Sequence, residues 1–197
     1  MSAQILAVAN QKGGVGKTTT TVNLAASLAS KGKRVLVIDL EPQGNATTGS
    51  GIDKARLEEG VYQVVLDDTD IKTAVVRSGD GSYDVLGANR ALAGAEIELV
   101  QEIAREIRLK NALQTVENDY DFVLIDCPPS LTLLTLNGLV AANGVIVPML
   151  CEYYALEGIS DLIATVRKIR QAINPRLDIT GIVRTLYDSR SRLVVEV

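Results

Sequence analysis

Asn10-Gln11-Lys12-Gly13-Gly14-Val15-Gly16-Lys17-Thr18-Thr19 follows the apolar run Ile5-Leu6-Ala7-Val8-Ala9. It precedes Thr20 to Ser30, where Val22, Leu24, Ala25, Leu28 and Ala29 mark one face of a helix. A buried strand, a glycine-rich loop and a helix form the context in which a chain wraps a phosphate. Glycine lets the backbone curl until successive N–H groups point at one anion. The start of the helix adds the positive end of its dipole. Gly13, Gly14, Val15, Gly16 and Thr19 form the cradle. Lys17 is placed to neutralise β- and γ-phosphates, and the Thr18 hydroxyl to ligate Mg²⁺. A glycine-rich turn capped by Thr18 is the alternative reading. The loop departs from the standard phosphate-loop pattern, because Gln11 stands where a glycine is expected six residues before the lysine, and Lys12 adds a second cation.

The remaining strands carry the same logic downstream. Val35-Leu36-Val37-Ile38 ends in Asp39, and Phe122-Val123-Leu124-Ile125 ends in Asp126. Uninterrupted apolar runs are strands of a parallel sheet buried on both faces, and ligands bind at the carboxyl ends of such strands. An acid ending a buried strand is often only a cap. The phosphate loop makes Asp39 and Asp126 candidates, with Thr18, for the metal shell. Tyr83 to Gly87, Val145 to Val147 and Ile179 to Val183 read as further strands. Helices are expected over Ala95 to Val116, Leu131 to Ala142 and Leu156 to Ile173, and short helices over Asp53 to Asp70. In the first of these Ile97, Val100, Ile103, Ile107 and Leu113 are near helical spacing. Gln43 to Gly51 reads as a polar loop and Asp80-Gly81 as a turn. Strands alternating with helices predict an α/β, doubly wound, mostly parallel sheet, with residues 1–197 forming one domain.

Composition narrows the chemistry. The 197 residues carry a net charge of −4 and no histidine. A strongly basic nucleic-acid binder is therefore excluded, though a local basic patch is not. Catalysis must use carboxylates, lysines, hydroxyls and a bound metal. Cys127 and Cys151 have no metal-ligand spacing, and Cys127 reads as a small buried hydrophobe. No apolar run approaches the ~18 residues of a membrane span, and the N-terminus has no basic region of the kind that opens a signal peptide. A cytoplasmic location is expected.

Lys12-Gly13-Gly14-Val15-Gly16-Lys17-Thr18 resembles the deviant phosphate loop of the ParA/MinD ATPases. Asp39-Leu40-Glu41-Pro42-Gln43-Gly44-Asn45-Ala46-Thr47 is similar to switch I of ParA/Soj chromosome-partitioning proteins, and Phe122 to Ser130 to their Walker B and switch II. Pro148 to Gly158 resembles a tract that separates ParA/Soj from MinD and from nitrogenase iron protein. The resemblance runs from Gln4 to the last residue. It implies an ATP- and Mg²⁺-dependent homodimer in which Lys12 of one subunit reaches phosphates held by the other. It also implies non-specific DNA binding by that dimer, a ParB-like activator and association with the nucleoid. It implies a catalytic role for Glu41, where the family usually has Asp to position the attacking water, and a DNA contact for Arg190. Arg192, the Arg167-Lys168-Arg170 cluster, Tyr153 and Tyr154 carry weaker expectations of solvation or packing. Family chains continue past the strand at Ile179 to Val183, so part of the adenine pocket and of the DNA surface is expected beyond Val197. Two other readings stay open: a MinD-like ATPase placed at membranes, and a slow or non-hydrolysing ATP-binding module.

Overall fold

The computed structural model describes residues 2–151, 155–187 and 190, with side chains omitted over 155–158. In chain order the elements are β1 (Gln4–Val8), α1 (Lys17–Ala29), β2 (Val35–Asp39), α2 (Asn45–Gly49), α3 (Val61–Leu66), α4 (Ile71–Ala74), β3 (Val75–Arg77) and β4 (Asp84–Leu86). There follow α5 (Leu92–Leu99), α6 (Arg108–Gln114), β5 (Phe122–Asp126), α7 (Leu133–Ala141), β6 (Gly144–Leu150), α8 (Ala155–Ala172) and β7 (Asp178–Thr185). The strands form one sheet of order β3-β4-β2-β5-β1-β6-β7, parallel throughout except where β3 runs against β4.

The sheet is covered on both faces, as its unbroken apolar strands require. Along β1, Ile5 and Ala7 face a large core built with residues of α3 and α5 to α8. Leu6 points the other way, into a smaller core with Ala25 of α1 and Ala46 of α2. Period-two alternation thus fixes α1 on one face and the later helices on the other. The order places β1 between β5 and β6, with β2 on the far side of β5. In register, Val8 pairs with Asp126, and Asp39 pairs with Asp126. The ends of three adjacent strands therefore bring the phosphate loop, Asp126 and Asp39 to one edge, the position at which open α/β sheets bind ligands.

Three expectations are corrected. The single helix over Ala95 to Val116 is two helices, α5 and α6, with Ala104 at φ 55° between them. Asn137 of α7 holds that break: its Oδ1 accepts from Leu109 N at 3.1 Å and its Nδ2 donates to Arg105 O at 2.7 Å. Ile97, Val100 and Ile103, expected on a buried face, are 75%, 55% and 89% exposed. The polar segment Gln43 to Gly51 contains α2, which begins after Gly44 in the left-handed region at φ 65°. The edge strand β3 was not anticipated, and between Asp53 and Asp70 only Val61–Leu66 forms a helix.

Candidate nucleotide site

Glycine conformations shape the phosphate loop. Gly14 and Gly16 adopt φ 73° and 86°, in the left-handed region that other residues avoid. A Cβ built on Gly13 or Gly14 would meet nothing within 4 Å, so the space over the loop is open for a ligand. The loop is fastened at both ends. Asn10 Nδ2 donates to Pro148 O of β6 at 2.7 Å, and its Oδ1 accepts from Lys12 N at 3.0 Å. At the other side the Thr185 hydroxyl lies 2.9 Å from Val15 O and 3.1 Å from Met149 O. β6 and β7 therefore hold the loop in its curl before any ligand arrives.

Lys17 opens α1 and is buried, with Nζ donating to Lys12 O at 3.2 Å. Burial lowers its pKa, and the charges of Asp126 and Glu41 oppose that shift. A desolvated ammonium beside two carboxylates is primed for an anion of higher charge. The Thr18 hydroxyl donates to Asp126 Oδ2 at 2.7 Å, and Thr21 Oγ1 lies 3.4 Å from Oδ1. Burial pushes Asp126 up to about 7, against the hydrogen bond from Thr18 and with added repulsion from Asp39. Asp39 has no exposed surface and is also raised by burial, a shift opposed by its bonds from Thr47. Its Oδ2 accepts from Thr47 N and from Thr47 Oγ1, each at 2.7 Å, and its Oδ1 accepts from Glu41 N at 3.1 Å.

A cleft of about 420 Å³ collects Gly13, Lys17, Thr18 and Thr19 with Glu41 and Gln43. Cys127 lines its floor; burial raises its thiol pKa, which fits the small apolar role expected of it. A larger, apolar trough of about 810 Å³ runs between α1 and β7 and meets the loop at Gly14 to Gly16. Lys12 is half-buried and does not line the cleft. Arg190 is an exposed turn residue outside the cleft. Tyr153, Tyr154 and Arg192 lie outside the described residues. Sequence reasoning gave no role to Asn10, Thr47 or Thr185. The order of strands that makes them neighbours of the site is not written in local pattern.

The donor set suits magnesium. Among the described residues no three His, Cys, Asp or Glu side chains gather into a metal cluster. One hydroxyl and two carboxylates, all hard oxygen donors, are what a nucleotide-bound Mg²⁺ takes from protein, with phosphates and water completing its octahedron. Thr18 lines the cleft; Asp126, which its hydroxyl meets, and Asp39, paired with Asp126 in register, lie buried behind it and would complete the protein's share of a Mg²⁺ shell that neutralises phosphate charge.

The fold and this edge define a P-loop nucleotide-binding protein. An AAA domain family matches residues 3–179. Soj, the sporulation initiation inhibitor protein of Bacillus subtilis, is 53% identical over 194 residues, covering 98% of this chain and 77% of Soj. The chromosome partitioning protein ParA of Caulobacter vibrioides is 46% identical over 196 residues, 98% of this chain and 73% of that one. A structure described as cobyrinic acid a,c-diamide synthase from Mycobacterium smegmatis, with bound ADP and magnesium, superposes at TM-score 0.94 and 46% identity. It is covered to 79% by 98% of this chain, and it is also known with a bound ATP analog and magnesium. The chain belongs to the ParA/Soj family of P-loop ATPases.

Proposed function

We propose that this protein is a dimerising switch ATPase for DNA partitioning: its ATP-bound dimer holds DNA without sequence preference, and a ParB-like partner triggers hydrolysis. The observation that carries this reading is the pair of lysines. Lys17 lines the cleft, whereas Lys12, five residues earlier in the same loop, does not. A loop cation outside that cleft serves a second subunit that closes over it and brings another triphosphate within reach. In a closed interface it stabilises charge developing on the phosphate as an arginine finger does.

The chemistry assigned to each residue follows from where it stands. The loop amides and Lys17 bind the triphosphate. Thr18, Asp126 and Asp39 hold the metal shell. Glu41, on the same cleft, orients the attacking water. The 46% identity to the chromosome partitioning protein ParA, together with the resemblance of the tract Pro148 to Gly158, supports chromosomal or plasmid DNA as the cargo over a membrane site. Among the described residues no helix is long and apolar enough to cross a membrane. A cytoplasmic, nucleoid-associated protein is the corresponding expectation.

Fluorescence anisotropy with labelled duplex DNA tests the reading. Binding should require ATP rather than ADP, weaken steeply with salt as phosphate contacts release counterions, and vanish in Lys17→Ala. Equal DNA affinity with ATP and ADP would contradict it.

A further inference from the structure

Asp39 is surrounded more tightly than a metal ligand needs to be, and two of its three hydrogen bonds come from one residue, Thr47. An ionised carboxylate offers about four acceptor positions, two on each oxygen. Thr47 N and Thr47 Oγ1 occupy both positions on Oδ2, each at 2.7 Å. Glu41 N takes one on Oδ1. One acceptor position remains, on Oδ1.

The Thr47 hydroxyl cannot turn elsewhere. It accepts from Ala88 N at 2.9 Å, and it has one proton. With one of its two lone pairs engaged by Ala88 N, its single proton is directed at Asp39 Oδ2. Thr47 has no exposed surface, so water cannot substitute. The neighbouring backbone also leaves no slack. A Cβ on Gly87 would lie 3.0 Å from Thr47 Cγ2, and one on Gly44 would lie 3.2 Å from Ala88 O. The segment that follows β4, through Ala88, thus holds Thr47, and Thr47 holds Asp39.

We propose that Thr47 is a positioning residue for the magnesium–nucleotide complex: its hydroxyl, fixed by the Ala88 amide, pins Asp39 so that one lone pair of Oδ1 alone serves the metal shell. The proposal rests on the nucleotide reading above. Removing the hydroxyl frees Oδ2 on one side, and the carboxylate can then rotate away from its single productive orientation. The loss falls on the metal-dependent part of nucleotide affinity, because Asp39 lies on a strand two places from β1 and touches no part of the phosphate loop through the bonds described here. Outer-shell partners of metal ligands typically carry about 10- to 100-fold in metal affinity.

The test is equilibrium binding of a fluorescent ATP analogue, with excess Mg²⁺ and with EDTA, to the parent, Thr47→Val and Thr47→Ser. The readout is the ratio of the two affinities, which needs no turnover. The parent should bind more tightly with Mg²⁺. Thr47→Val should lose about tenfold of that ratio with its EDTA affinity within about twofold of the parent. Thr47→Ser, which keeps the hydroxyl, should restore the ratio. An unchanged ratio in Thr47→Val, or equal losses in both variants, overturns the proposal alone. A parent that shows no Mg²⁺ enhancement overturns the nucleotide reading and this proposal with it. Thr47→Ala repeats the test without the volume of valine. If neither valine nor alanine gives a folded chain by circular dichroism, the hydroxyl belongs to the fold, and the assignment is overturned.

Discussion

Glu41 stands two residues beyond Asp39, its amide bonded to the Asp39 carboxylate and its side chain on the cleft. Its reach is one methylene longer than that of the aspartate usual in the family. A displacement on the order of 1 Å can cost roughly a hundredfold in rate when a reacting water must be aimed in line. Steady-state phosphate release with saturating ATP, Mg²⁺ and DNA should therefore rise in Glu41→Asp and nearly disappear in Glu41→Ala, with ATP binding retained in both. Turnover like the parent's in Glu41→Ala would move the assignment to Asp126. Asp126 makes a separate prediction about pH. Its folded-state pKa, about 7, is raised above the unfolded value near 3.8. The folded chain thus holds that proton more tightly, and the stabilisation is complete below pH ~4 and lost as pH rises through about 7. In the nucleotide-free protein the thermal midpoint should decrease as pH rises from about 4 to about 7, and Asp126→Asn should flatten that slope.

At the level of elements, the strands were legible because burial on both faces writes itself as apolar runs: Val35 to Asp39 and Phe122 to Asp126 were found to within a residue. The phosphate loop and the acids Asp39 and Asp126 were legible for the same reason, since strand and glycine signals coincide there. What escaped was decided by tertiary partners. The helical spacing from Ile97 to Leu113 is genuine, but Asn137, more than thirty residues away from the break, satisfies backbone groups that a continuous helix would have paired internally. Ala104 can then take φ 55°, and three apolar residues turn to solvent. Asn137→Leu leaves Leu109 N and Arg105 O without that partner inside the protein. Urea denaturation should show a loss of about 2–3 kcal/mol. A change below about 0.5 kcal/mol would mean that water replaces the amide. Likewise α2 lies in a segment of turn-forming residues, and its position follows from Asp39 accepting the amide and hydroxyl of Thr47.

For the whole molecule, the first question is association. Lys12→Ala should leave nucleotide binding by the single subunit largely intact while blocking ATP-induced dimers and hydrolysis. Light scattering with and without ATP measures the first and phosphate release the second, and normal dimers with normal turnover would refute a role across subunits. A net charge of −4 also means that a lone subunit is repelled by DNA at range, so the proposed function requires pairing before capture. The strand order has a consequence for how the protein is made. β1 is synthesised well before its partners β5 and β6, which are drawn from residues 122 to 150. At ordinary rates of translation they emerge on the order of ten seconds later. Until then β1 has both edges open, and the phosphate loop lacks Pro148, which Asn10 grips, and Asp126, which Thr18 meets. The nascent chain therefore cannot hold nucleotide during most of its synthesis. Its affinity for ATP appears late and all at once, when the centre of the sheet closes around β1.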